Sequence, residues 1–348
     1  MTEGDELPKI VIVTEGGSMI GMGHVYRSIT LAQALRSDAI LHFLTRSDKA
    51  IAEKIERSGF NATRCETDEE ILNRLNQASP SVITFDVPQL SARLIEQIRT
   101  ILGQETSIVV FDNYSAPDVN RHIDVVVNAL VRGDFENKFV YDKDANTRYY
   151  FGPKYLILRD EFFFPFEQPP RLSHPHEKRL LLFFGGGDYA NLTTSTLDHV
   201  LNSYKEAHVH IIIGPAFSHL KELEVLIQAH KGDRSRIKVN KDVANVAELM
   251  GNVDVVITSP GVSMFEALRL RKPVIAIYQN DYQKAVYKNF PLKCIIEQSE
   301  AWRIDILLQE VDNYDPEYVD KLKIGEGKSE LLQVIRGLLS PNKTIDLT

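Results

Sequence analysis

The stretch Gly17–Arg27, GSMIGMGHVYR, decides how the rest of the chain is interpreted. It follows the apolar run Ile10–Thr14, IVIVT, whose β-branched residues predict a buried strand. After it, apolar residues recur at three- and four-residue steps from Val25 to Leu35, a spacing that indicates the buried face of a helix. The stretch is therefore predicted to be a glycine-rich strand-to-helix turn.

This turn combines an anion-accepting helix end with a proton acceptor. Gly21 and Gly23 have no side chains to keep a ligand from the backbone, and the first helical turn offers free N–H groups. His24 lies at the same end, where the helix dipole disfavours the imidazolium form, so we expect a neutral imidazole near pH 7. A histidine after such a turn can equally cap or pack the helix, and the turn alone leaves both interpretations open.

Composition limits the class of protein. The 348 residues suffice for two domains, and 43% hydrophobic with 25% charged residues is typical of a soluble globular protein. The net charge of −8 argues against general binding of nucleic acid or anionic membranes. Cys65 and Cys294 lie far apart without a CxxC or HExxH pattern, which favours a reducing compartment and predicts no metal site.

Targeting signals are not evident in the sequence. The acidic N-terminus lacks the basic and apolar regions of a signal peptide. No apolar run approaches the roughly 18 residues that cross a bilayer. We therefore expect a cytoplasmic protein without a membrane span, a metal ion or a cofactor.

The first half alternates strand and helix patterns, which predicts a parallel sheet with helices on both faces. Polar residues Asp86, Asp112 and Asn128 follow three of its strands, at the carboxyl ends where open α/β sheets place ligands. Helices are expected to start near His24, Ser47, Asp68 and Leu90. The candidate strands are Ile10–Thr14, Ala39–Leu44, Val82–Phe85, Ile108–Phe111, Asp124–Val127 and Tyr149–Gly152.

A proline-rich, aperiodic segment at 165–178 is predicted to be an interdomain linker, and the alternation then begins again. The expected strands are Arg179–Phe184, His208–Ile213, Arg236–Val239, Asp254–Thr258, Pro273–Tyr278 and Lys293–Ile296. The expected helices are Asn191–Tyr204, Phe217–His230, Val243–Met250, Ser263–Leu270 and Asp281–Asn289. We predict an α/β protein of two doubly wound, Rossmann-like domains, 1–164 and 179–328, facing across a cleft. The final helix and tail, 329–348, are expected to cross back to the first domain.

Residues 184–193, FGGGDYANLT, form a second glycine-rich strand-to-helix turn. Its backbone offers N–H groups to phosphates, and Asn191 is placed to cap the following helix. A tight turn that needs positive φ angles is the alternative. Because one turn does not require three successive glycines, Gly185, Gly186 and Gly187 favour close approach of a ligand.

Residues 258–268, TSPGVSMFEAL, form a third turn of the same kind. Free N–H groups and the Ser263 hydroxyl can bind a diphosphate, and Glu266 can accept two hydrogen bonds from adjacent sugar hydroxyls. In a capping box, Ser263 and Glu266 would instead satisfy their own helix terminus. The residues fit both roles.

Taken together, these turns resemble the motifs of a known family, the UDP-sugar hydrolases of pseudaminic acid biosynthesis and the related spore-coat polysaccharide proteins. Residues 20–27 match I-G-x-G-H-x-x-R, and residues 185–193 match G-G-x-D-x-x-N-L-T. Residues 261–267 match G-x-S-x-x-E-A, and residues 152–162 match G-P-x-Y-x-x-L-R-x-E-F. The resemblance runs in order over most of the chain. It implies the two-domain glycosyltransferase B fold and a metal-independent removal of UDP from a 2,4-diacetamido-2,4,6-trideoxy sugar.

The resemblance also implies roles for single residues. His24 would be the catalytic residue that activates water, and the 261–267 motif would hold UDP, with Glu266 at the ribose. The implied substrate-binding residues are Gly21, Gly23, Arg27, Gly185, Gly186, Gly187, Asp188, Asn191, Gly261, Val262, Ser263, Glu266 and Gln283. The chain departs from the family at 14–17, TEGG, and at 279–283, QNDYQ, where the sugar would lie. The sugar's identity is therefore left open.

Other functions fit the same pattern. A glycosyltransferase of this fold would use a sugar hydroxyl where the hydrolase uses water, and a nucleotide-sugar 2-epimerase shares the architecture. A dehydrogenase is disfavoured, because the first turn lacks a third glycine and Arg46 lies where a ribose-binding acid is expected. A regulatory protein that only binds a nucleotide sugar would not need His24. The oligomeric state stays open.

Overall fold

The structure, a computed structural model, describes residues 6–17, 20–112, 120–130, 135–164, 178–230, 232–241, 243–290, 295–310 and 316–340. Two sheets organise these residues, one of eight strands and one of six. In the described residues no helix is long and apolar enough to cross a membrane.

The first sheet has the strand order β3-β2-β1-β4-β5-β6-β8-β7, with every pair parallel except the antiparallel pair β7–β8. Its strands are β1 Lys9–Thr14, β2 Ile40–Thr45, β3 Asn61–Arg64, β4 Val82–Asp86, β5 Ser107–Phe111, β6 Val125–Asn128, β7 Lys138–Asp142 and β8 Thr147–Phe151. The connecting helices are α1 Gly23–Ala34, α2 Lys49–Arg57, α3 Asp68–Ala78 and α4 Ala92–Leu102. Short 3₁₀ helices follow at Pro153–Tyr155 and Asp160–Phe163.

Strand β1 is buried on both faces. Ile10 and Ile12 belong to a core cluster that includes α1 and α2, whereas Val11 and Val13 belong to a second cluster on the opposite face with α3 and α4. A strand covered on both sides has no solvent-facing positions, and this explains its continuous apolar sequence.

The second sheet has the order β11-β10-β9-β12-β13-β14, and all its pairs are parallel. Its strands are β9 Arg179–Phe183, β10 His208–Ile213, β11 Ile237–Lys241, β12 Val255–Thr258, β13 Val274–Ile277 and β14 Ile295–Ile296. The helices are α5 Leu192–Ser203, α6 Leu220–Ala229, α7 Val246–Gly251, α8 Val262–Arg269, α9 Asp281–Tyr287, α10 Ile304–Glu310, α11 Pro316–Leu322 and α12 Lys328–Leu339. Short 3₁₀ helices lie at Arg234–Arg236 and Gln298–Arg303.

Both sheets use the same winding, in which the strand order reverses beside the first strand. The reversal lies between β1 and β4 in the first sheet and between β9 and β12 in the second. In doubly wound sheets a crevice opens at the carboxyl ends of the strands at this point. All three glycine-rich turns follow strands that border these two crevices.

The chain between the sheets ties the two cores together. Tyr155 and Ile157 enter the first core, whereas Leu156 and Leu158 enter a cluster beside the second sheet. Helix α12 then returns to the first core, and its Arg336 Nε lies 3.0 Å from Asp38 Oδ2.

Most predicted elements occur, with ends displaced by one to three residues. The helix expected near Ser47 begins at Lys49 because Asp48 caps it, and the one expected near Leu90 begins at Ala92 because Ser91 caps it. The sequence analysis missed β3 and β7, which are half exposed, and the seven-residue helices α10 and α11. Such short elements carry too little periodicity to be recognised.

Some predictions lie outside the described residues. These are the linker at 165–178 apart from Lys178, the first part of the strand at Lys293–Ile296 with Cys294, the residue Asn113, and the tail beyond 340.

Candidate active site

The first glycine-rich turn closes on itself before α1. Gly17 and Gly21 form an isolated antiparallel bridge, with N···O distances of 3.0 and 2.7 Å. Gly21 has a φ of 82°, and nothing lies within 4 Å of the position that a Cβ would take. A residue with a side chain would be strained there for conformational reasons alone, so glycine is needed for the turn itself.

His24, in the first turn of α1, is hydrogen-bonded to a carboxylate. Its Nδ1 lies 2.6 Å from Oδ1 of Asp86, the last residue of β4, which is almost fully buried. Because an ionised carboxylate can only accept, Nδ1 carries the proton and the lone pair of Nε2 is left to accept one. Asp86 is a partner that the sequence analysis did not assign to His24.

Arg27 lies one turn after His24 and holds this carboxylate in place. Its Nε and Nη2 donate to the two oxygens of Asp86 at 2.7 and 2.5 Å, a bidentate pair. Its Nη1 donates to Asp112 Oδ2 at 2.5 Å. Burial lowers the pKa of Arg27, but Asp112 and Asp86 outweigh that effect and raise it. Its side chain, predicted to bind substrate, is directed at these two carboxylates instead.

The two carboxylates differ in how they are held. Burial by itself raises the pKa of Asp86, but Arg27, with a smaller effect from His24, outweighs it and keeps the pKa below the ordinary value. Asp112 has a φ of 51°, unusual for a residue with a side chain, and its Oδ1 accepts from Leu130 N at 3.2 Å. Backbone strain of this kind is often found at functional sites.

The three-glycine turn packs against the first turn. A Cβ on Gly186 would lie 2.1 Å from Cγ of Met22, and one on Gly214 would lie 2.5 Å from Cα of Gly186. By contrast, Gly185 has a φ of 79° with open space beside it. Close packing therefore requires glycine at position 186, whereas the positive φ angle favours glycine at position 185. The open space beside Gly185 is where a ligand can approach this turn.

Asp188, not Asn191, caps α5. The buried Asp188 carboxylate accepts from the backbone N–H groups of Leu192 and Thr193, both at 2.8 Å. Asn191 has a φ of 54° and makes no side-chain cap hydrogen bond. The prediction that Asn191 caps this helix is wrong, because Asp188 already occupies the free N–H groups.

Helix α8 begins without a side-chain cap. Its N-cap is Gly261, which has no side chain, so the capping box of Ser263 and Glu266 does not form. The helix start faces the first turn, where a Cβ on Gly23 would lie 3.3 Å from Val262 Cγ2. The N-termini of α1 and α8 therefore meet, and both leave N–H groups for an anion.

Glu266 is paired rather than free. It is nearly fully buried, and its Oε1 accepts from Nη2 of Arg159 at 3.0 Å. Burial raises the pKa of Glu266, and the charge of Arg159 opposes that shift without cancelling it. Arg159 belongs to the 152–162 motif, to which the sequence analysis gave no role.

At the start of α9, Gln283 stabilises local backbone. Its Oε1 accepts from Gln279 N at 2.7 Å. Gln279 joins two crevice loops, because its Nε2 donates to Phe184 O at 3.0 Å and to Ser259 Oγ at 2.7 Å. The sequence analysis named 279–283 only as a departure from the family and gave Gln279 no role, although its position after β13, at a carboxyl end, was a usable signal.

These residues surround one region between the two sheets. It has two helix N-termini, a glycine-rich loop and a histidine whose Nε2 makes no hydrogen bond with the described residues, a set that can hold an anionic leaving group beside a proton acceptor. Among the described residues, no group of three or more His, Cys, Asp and Glu side chains is placed to hold a metal ion.

Comparison with known proteins identifies sequence relatives of the chain. No family model matches it. The uncharacterized protein MJ1062 of Methanocaldococcus jannaschii is 35% identical over 339 residues, 96% of this chain and 67% of that protein. The spore coat polysaccharide biosynthesis protein SpsG of Bacillus subtilis is 27% identical over 286 residues, 80% of each chain. A UDP-2,4-diacetamido-2,4,6-trideoxy-beta-L-altropyranose hydrolase of Campylobacter jejuni is 24% identical over 272 residues, 77% of this chain and 91% of that one.

Solved structures give the fold. The calicheamicin glycosyltransferase CalG4 superposes with a TM-score of 0.64 at 12% identity, over 96% of this chain and 99% of that one. The glycotransferase of kitacinnamycin gives a TM-score of 0.60 at 14% identity, over 97% and 100%. Anabaena Alr3699/HepE in complex with UDP-glucose gives 0.55 at 10% identity, over 95% and 98%. The predicted fold is confirmed: the chain has the glycosyltransferase B fold and belongs to the same family as the M. jannaschii protein MJ1062.

Proposed function

We propose that the chain is an enzyme of surface polysaccharide biosynthesis that acts on a nucleotide sugar and hydrolyses a UDP-activated sugar to UDP and the free sugar. One observation carries the proposal: His24 is oriented by Asp86, which Arg27 holds, at a helix end that meets the N-terminus of α8. A protein that only bound a nucleotide would gain nothing from an imidazole whose Nε2 is left to take a proton. The B. subtilis relative is a polysaccharide biosynthesis protein, which supports the proposed pathway, and the C. jejuni relative is a UDP-sugar hydrolase, which supports the proposed reaction.

In the proposed reaction, His24 acts as a general base. Nε2 takes a proton from water while the water oxygen attacks the anomeric carbon of the sugar. The bond between that carbon and the β-phosphate oxygen breaks, and UDP leaves with the electron pair. Asp86 stabilises the imidazolium that forms, and the negative charge on the diphosphate is stabilised by helix N–H groups.

The nucleotide would lie against the second sheet. Gly261, Val262 and Ser263 at the start of α8 would bind the diphosphate, with Gly185 and Gly187 offering further backbone. Glu266 would accept the ribose hydroxyls. The sugar would then reach Gly21 and Gly23 in the first turn, and the Gln283 amide nitrogen would lie at the edge of the same crevice.

A glycosyltransferase is the second candidate, because CalG4 and the kitacinnamycin protein, which share the fold, are glycosyltransferases. A sugar hydroxyl would replace water as the nucleophile, and His24 would remove its proton in the same way. The two reactions therefore share every residue described above and differ only in what enters the crevice.

The experiment is to incubate the protein with UDP-, GDP-, CDP- and ADP-sugars in the presence of a chelator and to measure nucleoside diphosphate release. The panel includes a UDP-diacetamido-trideoxy sugar, and His24→Asn serves as the inactive control. Release of UDP without an acceptor is the expected result. Release only when an acceptor sugar is added would establish the transferase, and absence of both release and UDP binding would overturn the proposal.

A further inference from the structure

Arg159 contacts both halves of the chain from the segment between them. Its Nη2 lies 3.0 Å from Glu266 Oε1 in α8, and its Nη1 lies 3.0 Å from Glu161 Oε1. Its Cζ lies 5.6 Å from the ring centroid of Tyr26 in α1 and 5.1 Å from that of Phe162. The guanidinium is thus held by two carboxylates and two aromatic rings.

The second carboxylate is itself anchored. Glu161 Oε1 also accepts from the backbone N–H of Val246, the first residue of α7, at 3.2 Å. Arg159 therefore cannot rotate away from Glu266 without breaking an arrangement that involves α1, α7 and α8. Its planar fork matches this geometry, which the point charge of a lysine would not.

Glu266 depends on this partner. Its side chain is only 6% exposed. Burial without a counter-charge disfavours the ionised form of a carboxyl group. Among the described residues no donor approaches Oε2, so Arg159 occupies one oxygen and leaves the other to a ligand.

We propose that Arg159 is the positioning residue for nucleotide recognition: it keeps Glu266 ionised and aims Oε2 at the ribose hydroxyls. The inference rests on the proposed function, in which Glu266 accepts the ribose. It predicts that Arg159 sets discrimination between a nucleotide with ribose hydroxyls and one without them. It also predicts a rise in KM for the nucleotide sugar with little change in kcat, because Arg159 does not touch the reacting atoms.

The test compares UDP with 2′,3′-dideoxy-UDP by calorimetry on wild type, Arg159→Met, Arg159→Lys and Glu266→Gln. Arg269→Met is the matched control. Arg269 lies on α8, as Glu266 does, and its Cζ lies 4.8 Å from the Phe163 ring centroid. We expect Arg159→Met to weaken UDP binding about tenfold and to leave binding of the dideoxy ligand unchanged. Arg159→Lys should recover part of the loss, Glu266→Gln should resemble Arg159→Met, and Arg269→Met should bind as wild type does.

The pH dependence gives a second readout. Among the described residues, the charged groups that face Glu266 are Arg159 and Glu161, so Arg159→Met leaves the like charge of Glu161 beside it. An ionised carboxyl group can accept hydrogen bonds with both oxygens, whereas protonation turns one oxygen into a donor. Loss of Arg159 should raise the pKa of Glu266 further, so UDP affinity in Arg159→Met should rise with pH over a higher pH range than it does in wild type.

The outcomes separate this inference from the proposed function. If wild type prefers UDP over the dideoxy ligand and Arg159→Met keeps the same preference, the proposed function stands and the role of Arg159 is overturned. Equal loss of both ligands in a folded Arg159→Met protein would also overturn it, because that result indicates general disruption. If wild type binds no nucleoside diphosphate, or binds both ligands equally, the proposed ribose site fails and this inference fails with it.

Discussion

At the scale of single residues, the candidate site is a row of ion pairs that ends at His24, whose Nε2 makes no hydrogen bond with the described residues. Asp112 and Asp86 both pair with Arg27, and Asp86 alone reaches His24. A buried arginine between two carboxylates is stable only while its partners remain, because an unpaired buried charge is costly. This arrangement explains why Arg27 is buried although the sequence analysis expected it to bind substrate.

His24→Asn tests the proposed general base. Asparagine keeps a hydrogen-bonding side chain beside Asp86 but cannot take a proton, so turnover should fall by about 10²–10⁴-fold. UDP affinity should change little, because the proposed nucleotide site lies against the other sheet. Hydrolysis in oxygen-18 water should label the sugar if water attacks carbon. Near-normal turnover in this variant would remove the catalytic role, and label on the phosphate would reject attack at the sugar.

Asp86→Asn tests the carboxylate that orients His24. We expect turnover to fall at least tenfold, and the free energy of unfolding at neutral pH to fall by about 3–5 kcal/mol because Arg27 loses a buried partner. Chemical denaturation and kinetics measure the two effects separately. A variant with wild-type turnover would show that His24 does not need Asp86.

For Asp86→Asn we also expect a changed stability at acid pH. Because the pKa of Asp86 is lowered in the folded protein, its ionisation stabilises the fold above the unfolded pKa of about 3.9. That contribution is lost as the pH falls from there through the lower folded pKa. Wild type should therefore lose more stability than Asp86→Asn does between about pH 4 and the acid limit of folding. Parallel curves for the two proteins would contradict the assignment.

At the scale of elements, three strand-to-helix turns form the site because both sheets reverse their strand order beside the crevice. The first turn follows β1, and the other two follow β9 and β12. The first turn touches the second sheet through Met22 against Gly186 and through Gly23 against Val262. These contacts set the distance between the proton acceptor and the proposed diphosphate site.

Gly186→Ala tests that spacing. The added Cβ would lie 2.1 Å from Met22 Cγ, so the two turns must separate. Because small misplacement of reacting groups is costly, we expect kcat/KM to fall by about 10²-fold while the protein remains folded. Met22→Gly in the same chain removes both Met22 Cγ and Met22 Cβ, which would lie 2.5 Å from the added Cβ, and should restore part of the activity. If the double variant is no better than Gly186→Ala, the contact with Met22 does not set the spacing.

At the scale of the whole molecule, the end of the chain completes the first core. Helix α12 inserts Leu331, Leu332, Val334, Ile335 and Leu338 into the cluster that contains β1 and α1. The link is reinforced by Lys154 Nζ, 2.8 Å from Glu330 Oε2. The helix that carries His24 therefore depends on distant residues: Arg336 Nη2 donates to the carbonyl oxygen of Ala34, the last residue of α1, across 302 positions.

Ile335→Ala tests this dependence. Ile335 is almost fully buried, and its truncation should lower the free energy of unfolding by about 2–5 kcal/mol. Arg336→Ala is the matched control on the same helix; its ion pair with Asp38 is exposed, so we expect a loss of less than about 1 kcal/mol. Thermal or chemical denaturation measures both. Equal effects would show that α12 is held by its surface contacts rather than by the core.

The sequence by itself determined most of the elements, the division into two sheets and the places where the glycine-rich turns fall. These follow from local signals, because strand and helix periodicity and glycine turns act over a few residues. They also placed Asp86 and Asp112 at the carboxyl edge of the first sheet, without showing what either residue binds.

Only the tertiary structure decided which side chains meet. Asp86 reaches His24 across 62 positions, and Glu266 meets Arg159 across 107. Both contacts depend on which strands are neighbours, a property of the winding that no local pattern contains. Even within a single turn, the structure decided that the Asp188 carboxylate and not the Asn191 side chain bonds the N–H groups at the start of α5. Residue type defines what a group can donate or accept, but burial and neighbours decide which bond it makes, because free energy depends on the partner and not on the residue alone.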